Sequence, residues 1–387
     1  MYSLRLKKWK FWVTRFTLCI SVIMSLPSFR ISINNLKETE KCPICFGLAA
    51  CHFIDDNEIT INHRDMYALF TNAFGVKNVY YGKLRNRDVV LKKLAHRSEF
   101  NAFDESISKV VKEKYSDFQM LVQRAINTDM NDTMSKLRLC PTVKHVNLLF
   151  NNVLSKEDFT YEHLWTLIKI NPEPLILQIL PSEKGWPVPK HYGACGRLVI
   201  QEFVGPSLST FSGEPWIRRA AIASTLLDAA YMFTFQDENF AYYLTDISSD
   251  NIAIDSKNRA KFIDLENIIV VDKTTPVKDQ SKTWQDVHRS DGNFDCETCL
   301  VFSPAEICEH KVSDHNYYAI CKLILAQRIS KTQISKGFLH DVPAKILEQF
   351  PTLTQLLSQC SDPQLFHQRI SSGIELNKLL QNIIKYV

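Results

Sequence analysis

Tyr-Leu-Thr-Asp-Ile-Ser-Ser-Asp-Asn, at residues 243–251, is the most informative segment of this 387-residue chain. Asp246 and Asn251 stand five residues apart in it, and Asp264 follows thirteen residues later at the end of a short predicted strand, 261–263. Carboxylate and amide oxygens are ligands that Mg²⁺ takes beside the phosphates of a nucleotide. The spacing therefore predicts a cation site formed by two neighbouring loops.

A candidate phosphate-binding cation lies upstream in Val-Val-Leu-Lys, where Lys92 occupies an apolar strand pattern. Lys93 is adjacent, but strand alternation directs it to the opposite face. Phosphoryl transfer requires a cation on the phosphates, an acidic partner for that cation, a base near the acceptor hydroxyl and ligands for a metal. Lys92 and the three side chains above supply these types in chain order, which indicates a nucleotide-dependent phosphotransfer site.

The rest of the pattern predicts a two-lobed α+β fold, because strands with one helical region precede a region dominated by helices. The predicted elements are, in chain order, a hairpin of strands at 79–83 and 88–94, helices within 97–127 and 157–170, strands at 175–180 and 197–204, a helix capped by Ser212 that opens at Glu214-Pro215, a strand pair at 252–254 and 261–263, and helices from Asp314 onwards.

The N-terminus is typical of a targeting segment. Five Lys and Arg residues and no acid lie within residues 1–29, around an apolar run at 16–26 that is too short to span a bilayer. We favour a cleaved signal peptide over a signal anchor or an amphipathic surface helix. Without this segment the formal charge changes from +4 to −1, so no basic excess remains and nucleic acid is not a predicted partner.

Cysteine usage agrees with an oxidising lumen. Outside the leader there are ten cysteines: Cys42, Cys45, Cys51, Cys140, Cys195, Cys296, Cys299, Cys308, Cys321 and Cys360. We predict a disulfide framework whose pairing the sequence leaves open, and no structural metal. The alternative is a zinc site, because the Cys-x-x-Cys pairs at 42–45 and 296–299 have ligand spacing. Asn131 begins the one N-glycosylation sequon, which predicts a glycoprotein in a luminal setting.

Several segments resemble the protein-kinase superfamily and, more narrowly, the divergent protein kinase domain family of the secretory pathway, domain-2 type, also called the "deleted in autism" proteins. The narrower resemblance lies in Cys-Pro-Ile-Cys-Phe-Gly at 42–47, Val-Lys-Asn-Val-Tyr at 76–80, Asn-Pro-Glu-Pro at 171–174, Gly-Ala-Cys-Gly-Arg at 193–197 and Asp-His-Asn-Tyr-Tyr-Ala at 314–319. It implies four segments: a signal peptide or anchor at 1–29, a cysteine-rich cap at 30–75, a small lobe at 76–204 and a large lobe at 205–387.

The resemblance also implies roles for single residues. Lys92 matches the strand lysine on the nucleotide phosphates, and Asp246 matches the catalytic aspartate. Asn251 and Asp264 match the two metal ligands.

The strand and the hinge between the lobes are implied at Leu198–Gly205, with backbone groups of Glu202 and Val204 facing the adenine. Asp314 resembles the buried aspartate that supports the catalytic loop from the central helix of the large lobe.

The acidic partner of Lys92 has two candidates. Glu99 follows within seven residues and is preferred. Glu162 is the rival, because its spacing to Asn171-Pro172 suits a kinase helix glutamate. In that case an insertion over 95–155 interrupts the small lobe.

Departures from the kinase pattern put catalysis in question. The glycine-rich loop is reduced to Gly75 and Gly82. Thr245 replaces the arginine that binds an activation-loop phosphate, and Ser248 replaces the lysine that steadies the transferred group. Glu266 replaces a glycine, so its carboxylate could add a metal ligand or repel the nucleotide.

Two functions follow from the resemblance. The first is phosphotransfer from ATP, with Mg²⁺ or Mn²⁺, to a hydroxyl of a secreted protein or glycan in the ER or Golgi lumen. The second is an inactive, secreted pseudokinase that acts as a ligand or scaffold at a cell-surface receptor. Membrane contact is expected only through an uncleaved N-terminal segment.

Overall fold

The computed structural model describes residues 32–62, 78–112, 118–126, 136–141, 146–156, 159–291, 300–329, 334–365 and 367–387. The predicted targeting segment, Gly75, the sequon at Asn131 and the Cys296/Cys299 pair lie outside these residues. Within them, no helix is long and apolar enough to cross a membrane.

The fourteen strands in the described part of the chain are β1 Ile59–Ile61, β2 Asn78–Leu84, β3 Arg87–Lys93, β4 Arg138–Cys140, β5 His191–Cys195, β6 Leu198–Glu202, β7 Phe240–Tyr243, β8 Ile252–Ile254, β9 Ala260–Phe262, β10 Ile269–Asp272, β11 Val287–His288, β12 Val312–Ser313, β13 Arg328–Ile329 and β14 Ile334–Ser335. Five of them form one sheet in the order β1-β2-β3-β6-β5. This sheet is the centre of the small lobe.

The β2–β3 hairpin confirms the predicted pair of strands. Its register ends at the pair Leu84↔Arg87, so two residues make the turn. Arg85 adopts the left-handed conformation there, with φ of 54°, as a tight hairpin requires. In β3, Val89 and Leu91 are buried in the sheet's own core. Alternation therefore turns neighbouring side chains to opposite faces, and Lys93 reaches Glu38 of the cap.

The helices in the same part of the chain are α1 Ile33–Lys37, α2 Cys51–Asp55, α3 Arg97–Lys112, α4 Phe118–Ile126, α5 Val146–Leu154, α6 Tyr161–Ile170, α7 Glu173–Ile179, α8 Trp216–Tyr231, α9 Pro304–Cys308, α10 His315–Tyr318, α11 Ala344–Gln349, α12 Thr352–Ser361 and α13 Gln368–Tyr386. Single π-helical turns, 232–236 and 319–325, extend α8 and α10.

Two local predictions are wrong. The apolar run at 175–180 belongs to helix α7 rather than to a strand, because Pro174 sits in its first turn, where proline is tolerated. Ser212 does not cap the next helix. Pro215 occupies the N-cap position of α8, and the Ser212 hydroxyl donates to Ser209 O instead. The predicted apolar face of α8 is confirmed, since Ile222 and Leu226 are both fully buried.

The N-terminal cap is fastened to the small-lobe sheet by a disulfide between Cys51 in α2 and Cys195 in β5. Cys42 and Cys45 form a second disulfide. These cysteines are therefore not thiolate ligands, and the zinc alternative is wrong for this pair. Only glycine fits at position 196, where the sheet meets the cap, because a Cβ there would lie 1.8 Å from Lys37 O.

A three-stranded sheet, β4-β10-β7, links the predicted insertion to the helical lobe. β4 pairs in parallel with β10, and Cys140 at the end of β4 forms a disulfide with Cys308 in α9. Cys321 and Cys360 join the second π-turn to α12. The helical lobe is thus cross-linked both within itself and to the segment between α4 and α5.

Candidate functional site

A cleft of about 1170 Å³ lies between the five-stranded sheet and the helical lobe. Five of the residues singled out from the sequence line it: Lys92, Glu202, Val204, Asn251 and Asp264. They come from β3, the end of β6 and the connection that follows it, and the loops that flank the β8–β9 hairpin. The sheet supplies one wall and that hairpin supplies the other.

Lys92 makes two short contacts at the back of this cleft. Its Nζ lies 2.7 Å from Glu173 Oε1 and donates to the carbonyl of Ile263 at 2.6 Å. Lys92 retains 12% of its side-chain exposure and Glu173 only 1%. A buried carboxylate needs such a partner, since removing the lysine would leave an uncompensated charge. The pair fixes the ammonium group next to the segment that carries Asp264.

Glu173 corrects the predicted acidic partner, because neither Glu99 nor Glu162 reaches Lys92. Glu99 lies in the first turn of α3, where its carboxylate accepts a hydrogen bond from the His96 N–H at 2.8 Å. Glu162 lies in the first turn of α6, a full helix before the loop at Asn171. Glu173 starts the following helix, and its N-terminal position points it at β3.

Gln201 is a site residue that the sequence interpretation missed. Its side-chain amide donates to Glu173 Oε1 at 2.5 Å, so this oxygen accepts from both Gln201 and Lys92. Gln201 is buried on β6 and lines the cleft just before the hinge. The other oxygen, Glu173 Oε2, is buried with no hydrogen-bond partner among the described residues.

The catalytic-loop candidates are held by the amide of Asn251. Asn251 Nδ2 donates to the Asp246 carbonyl at 3.1 Å, which leaves its Oδ1 available to a cation. Asp246 itself is exposed and is not among the residues that line the cleft. Its Oδ2 accepts a long hydrogen bond, 3.4 Å, from Asn267. The structure thus brings Asn251 into the cleft and keeps Asp246 at its margin.

The β8–β9 hairpin brings Asp264 beside Asn251. Ile252 pairs with Phe262, and the Ile263 N–H donates to the Asn251 carbonyl at 3.0 Å. Asp264 follows immediately, and Leu265 is buried at 1% exposure in the large core. Asp264 itself lines the cleft.

The two residues that follow Asp314, His315 and Asn316, support the catalytic loop. Asn316 accepts from the Leu244 N–H at 3.1 Å and donates to the Tyr242 carbonyl at 2.9 Å. The His315 ring contacts the Leu244 carbonyl at 3.0 Å through Nε2.

Asp314, which was expected to provide this support, accepts instead from the Ser290 N–H and from Arg369. All three residues are buried, but Asp314 lies at the N-cap of α10 and contacts Arg369, whereas the two residues that follow it contact Leu244 and the end of β7. Burial lowers the pKa of His315 to about 4, so the ring is neutral at physiological pH.

The hinge is tied to the helical lobe through Glu202. Its carboxylate lies 2.7 Å from the Lys261 ammonium on β9, and its N–H donates to Lys190 O at 2.9 Å. Beside it, Phe203 makes an edge-on contact with Tyr81 of β2, with ring centroids 5.7 Å apart. Both rings line the mouth of the cleft.

These residues fit a nucleotide with a divalent cation. Lys92 provides a fixed positive charge, Asn251 and Asp264 provide oxygen ligands, and the buried Glu173 Oε2 is the kind of unsatisfied atom that a bound water or cation satisfies. In the described part of the chain, no group of three His, Cys, Asp or Glu side chains is arranged to hold a metal ion. A site here would therefore take its remaining ligands from nucleotide phosphates, as magnesium usually does.

A small lobe with a strand lysine–glutamate pair, a hinge, and a large lobe with aspartate and asparagine on two loops define a protein-kinase-like fold. Comparison with known proteins agrees. The family model for the protein-kinase domain of FAM69 matches residues 164–363. Divergent protein kinase domain 2A of Xenopus tropicalis is 32% identical over 394 aligned positions, which cover 94% of this chain and 91% of that protein.

The human protein of the same name is 31% identical over 395 positions, with the same coverage. Human divergent protein kinase domain 2B is 28% identical over 165 positions, which cover 42% of this chain and 36% of that protein. The chain belongs to the divergent protein kinase domain family.

Proposed function

We propose that this protein binds ATP with Mg²⁺ or Mn²⁺ in the cleft and transfers a phosphoryl group to a hydroxyl of a secreted protein or glycan. The observation that carries the proposal is the 2.7 Å ion pair between Lys92 and Glu173, in the same cleft that Asn251 and Asp264 line. A buried ion pair in a cleft wall gives little net stability, so its arrangement is better explained by ligand binding.

Each residue then has a defined task. Lys92 holds the phosphates, while Asp264 and Asn251 hold the metal, which when bound neutralises charge on the phosphate oxygens. Backbone groups of Glu202 and Val204 contact the base. Asp246 orients the acceptor hydroxyl and takes its proton while the new oxygen–phosphorus bond forms and ADP leaves.

We place this activity in the lumen of the ER and Golgi and in the secreted protein. The four disulfides among the described residues are compatible with an oxidising compartment. Residues 1–29 serve as the targeting signal in this proposal, and Asn131 carries the glycan. Residues 30–75 form the cap, and the two lobes meet near residue 204.

A second function, that of a secreted pseudokinase acting as a ligand or scaffold for a receptor, is supported by the acceptor side of the cleft. Asp246 is exposed, and its carboxylate accepts a long hydrogen bond, 3.4 Å, from Asn267. Ser248 offers no positive charge to the transferred group. A protein of this kind could bind nucleotide without transferring phosphate.

The test uses the secreted, purified protein with ATP and Mg²⁺, beside the Asp264→Asn variant. Ligand binding at a hundredfold excess over Kd stabilises a protein by about 2.7 kcal/mol, which thermal unfolding detects. We expect stabilisation of the wild type and its loss in the variant. An unfolding temperature that ATP leaves unchanged would refute nucleotide binding, and stabilisation without transfer to any luminal acceptor would favour the pseudokinase.

A further inference from the structure

The segment 263–266, which carries the predicted metal aspartate, is held at both ends by side chains from the small-lobe side of the cleft. At its first residue, Lys92 Nζ donates to the Ile263 carbonyl at 2.6 Å. At its last residue, the Glu266 carboxylate accepts from the amide of Asn171 at 2.5 Å. Both contacts are short, and each involves a charged group, which makes them stronger than neutral hydrogen bonds.

The two contacts meet at the first residue of α7. Glu173 Oε1 pairs with Lys92, and the Glu173 N–H donates to Asn171 Oδ1 at 2.9 Å. These four hydrogen bonds, together with the chain of residues 263–266, form a closed ring. Asp264 lies inside the closed segment, so its backbone is fixed on either side.

Asn171 has no freedom to exchange these partners. It is 1% exposed, its Oδ1 accepts from Glu173, and its Nδ2 donates both to Glu266 and to Leu94 O, the latter at 3.2 Å. A buried amide that loses one of these partners is left unsatisfied, at the full desolvation cost of that group. The Glu266 carboxylate is therefore kept on Asn171.

We propose that Glu266 and Asn171 are positioning residues for the cation site, and that Glu266 is not itself a cation ligand. The inference rests on the proposed function, since it assigns the geometry of the metal-binding segment. Glycine at position 266 would give the segment conformational freedom, whereas glutamate gives it an anchor. The ring couples the position of Asp264 to the Lys92–Glu173 pair.

Substitutions of Glu266 distinguish a positioning residue from a cation ligand. Glu266→Gln keeps an oxygen that accepts from Asn171 but removes the charge, whereas Glu266→Ala removes both. For a positioning residue we expect Glu266→Gln to bind ATP·Mn²⁺ within twofold of the wild type and Glu266→Ala to bind about tenfold more weakly, the loss expected from one charged hydrogen bond. Glu183→Gln is the matched control, because it removes an exposed carboxylate that pairs with Lys190 outside both the cleft and the ring, and it should leave ATP·Mn²⁺ binding unchanged.

A polarity swap tests the Asn171–Glu266 contact directly. Asn171→Asp still accepts from the Glu173 N–H but places two carboxylates together, and we expect about tenfold weaker ATP·Mn²⁺ binding. Adding Glu266→Gln lets the new amide donate to the carboxylate at position 171, so the double variant should recover the part of the loss that the paired carboxylates cause, although not the part from the lost hydrogen bond to Leu94 O. A double variant no better than the single one, or a Glu266→Gln protein as weak as Glu266→Ala, overturns the inference.

Hydrogen exchange separates this inference from the proposed function. The amides of residues 263–267 should exchange faster in unliganded Glu266→Ala than in the wild type or Glu266→Gln. If the wild type binds no nucleotide, the proposed function fails, and the exchange pattern alone decides whether the ring holds the segment. Equal exchange in all three proteins would contradict the ring.

Discussion

The two sides of the cleft differ in how closely their side chains are held by hydrogen bonds and burial. On the phosphate side, the contacts among Lys92, Glu173, Asn171 and Glu266 are 2.5–2.9 Å long, and two of these residues are almost fully buried. On the acceptor side, Asp246 is exposed and its carboxylate is held at 3.4 Å. The fold therefore fixes the groups proposed to hold a nucleotide more firmly than the group proposed to activate an acceptor.

The largest effect should come from Lys92→Met, which leaves the Glu173 carboxylate buried without its cation. Removing one partner of a buried pair costs about 3–5 kcal/mol. The free energy of unfolding should fall by this amount in urea titrations, and ATP binding should disappear. Lys93→Met is the control, because Lys93 pairs with Glu38 on the other face of β3, and its variant should still bind ATP. If both variants lost ATP binding equally, Lys92 would not be the lysine that binds the nucleotide phosphates.

The next effect concerns the disulfide that lies in one buried cluster with Tyr243, the last residue of β7 before the loop that carries Asp246. Cys140 and Cys308 are 168 residues apart, whereas Cys42 and Cys45 are separated by three. Because a disulfide stabilises more when it closes a longer loop, replacing both cysteines of the long pair by alanine should cost about 2–4 kcal/mol. The same replacement of the short pair should cost clearly less. Calorimetry of the two double variants measures both losses of stability. A larger loss for the short pair than for the long pair would contradict this prediction.

Acidification should weaken the support of the catalytic loop. Burial lowers the pKa of His315 and of His288 to about 4, below the ordinary value of 6.5. The unfolded chain therefore binds protons first, so stability is complete above pH 6.5 and is lost as the pH falls toward 4. By linkage, each histidine should cost roughly 2 kcal/mol at pH 5. Unfolding measured at pH 7.5 and 5 gives this loss.

The control for the pH effect is His315→Gln, whose amide can still donate to the Leu244 carbonyl but does not titrate. Its stability should depend less steeply on pH than that of the wild type. Equal pH dependence of the two proteins would show that His315 does not carry the effect.

The smallest energetic change is expected for Ser248→Lys, which would return a cation to the position proposed to lie beside the transferred group. The residue is exposed, so stability should change by less than about 0.5 kcal/mol. If only the acceptor side limits transfer, the rate of phosphate incorporation should rise about tenfold, equivalent to about 1.4 kcal/mol of barrier, while ATP affinity stays constant. If ATP affinity changed while the rate of phosphate incorporation did not, the acceptor side would not be the side that limits transfer.

The sequence predicted the parts of the site whose spacing lies within one strand or one hairpin. Lys92 follows from strand alternation, and Asn251 and Asp264 flank a short hairpin, so local pattern brought all three to the cleft correctly. Glu173 was missed because a short buried apolar run after Asn171-Pro172 fits a strand or a helix equally well. The signal was available in Pro174 and in the acidic first turn, which favour a helix start.

The ring contacts and the disulfide pairing lay beyond sequence reasoning for a different reason. Asn171 and Glu266 are 95 residues apart, and Cys51 and Cys195 are separated by 144. Such contacts depend on how distant segments of the chain pack together, which no local periodicity encodes. The supporting role expected of Asp314 belongs to His315 and Asn316 instead. The geometry of the first turn of α10, rather than the motif, decides which side chain faces β7.

The central claim is that Asn251 and Asp264 together hold a divalent cation for the nucleotide. A crystal of the secreted protein grown with a non-hydrolysable ATP analogue and Mn²⁺ tests it through the anomalous signal of manganese. We expect a peak within about 2.5 Å of a carboxylate oxygen of Asp264 and of Asn251 Oδ1, with Glu266 outside the coordination sphere. A peak coordinated by Glu266, or a nucleotide bound with no manganese between these loops, would contradict it.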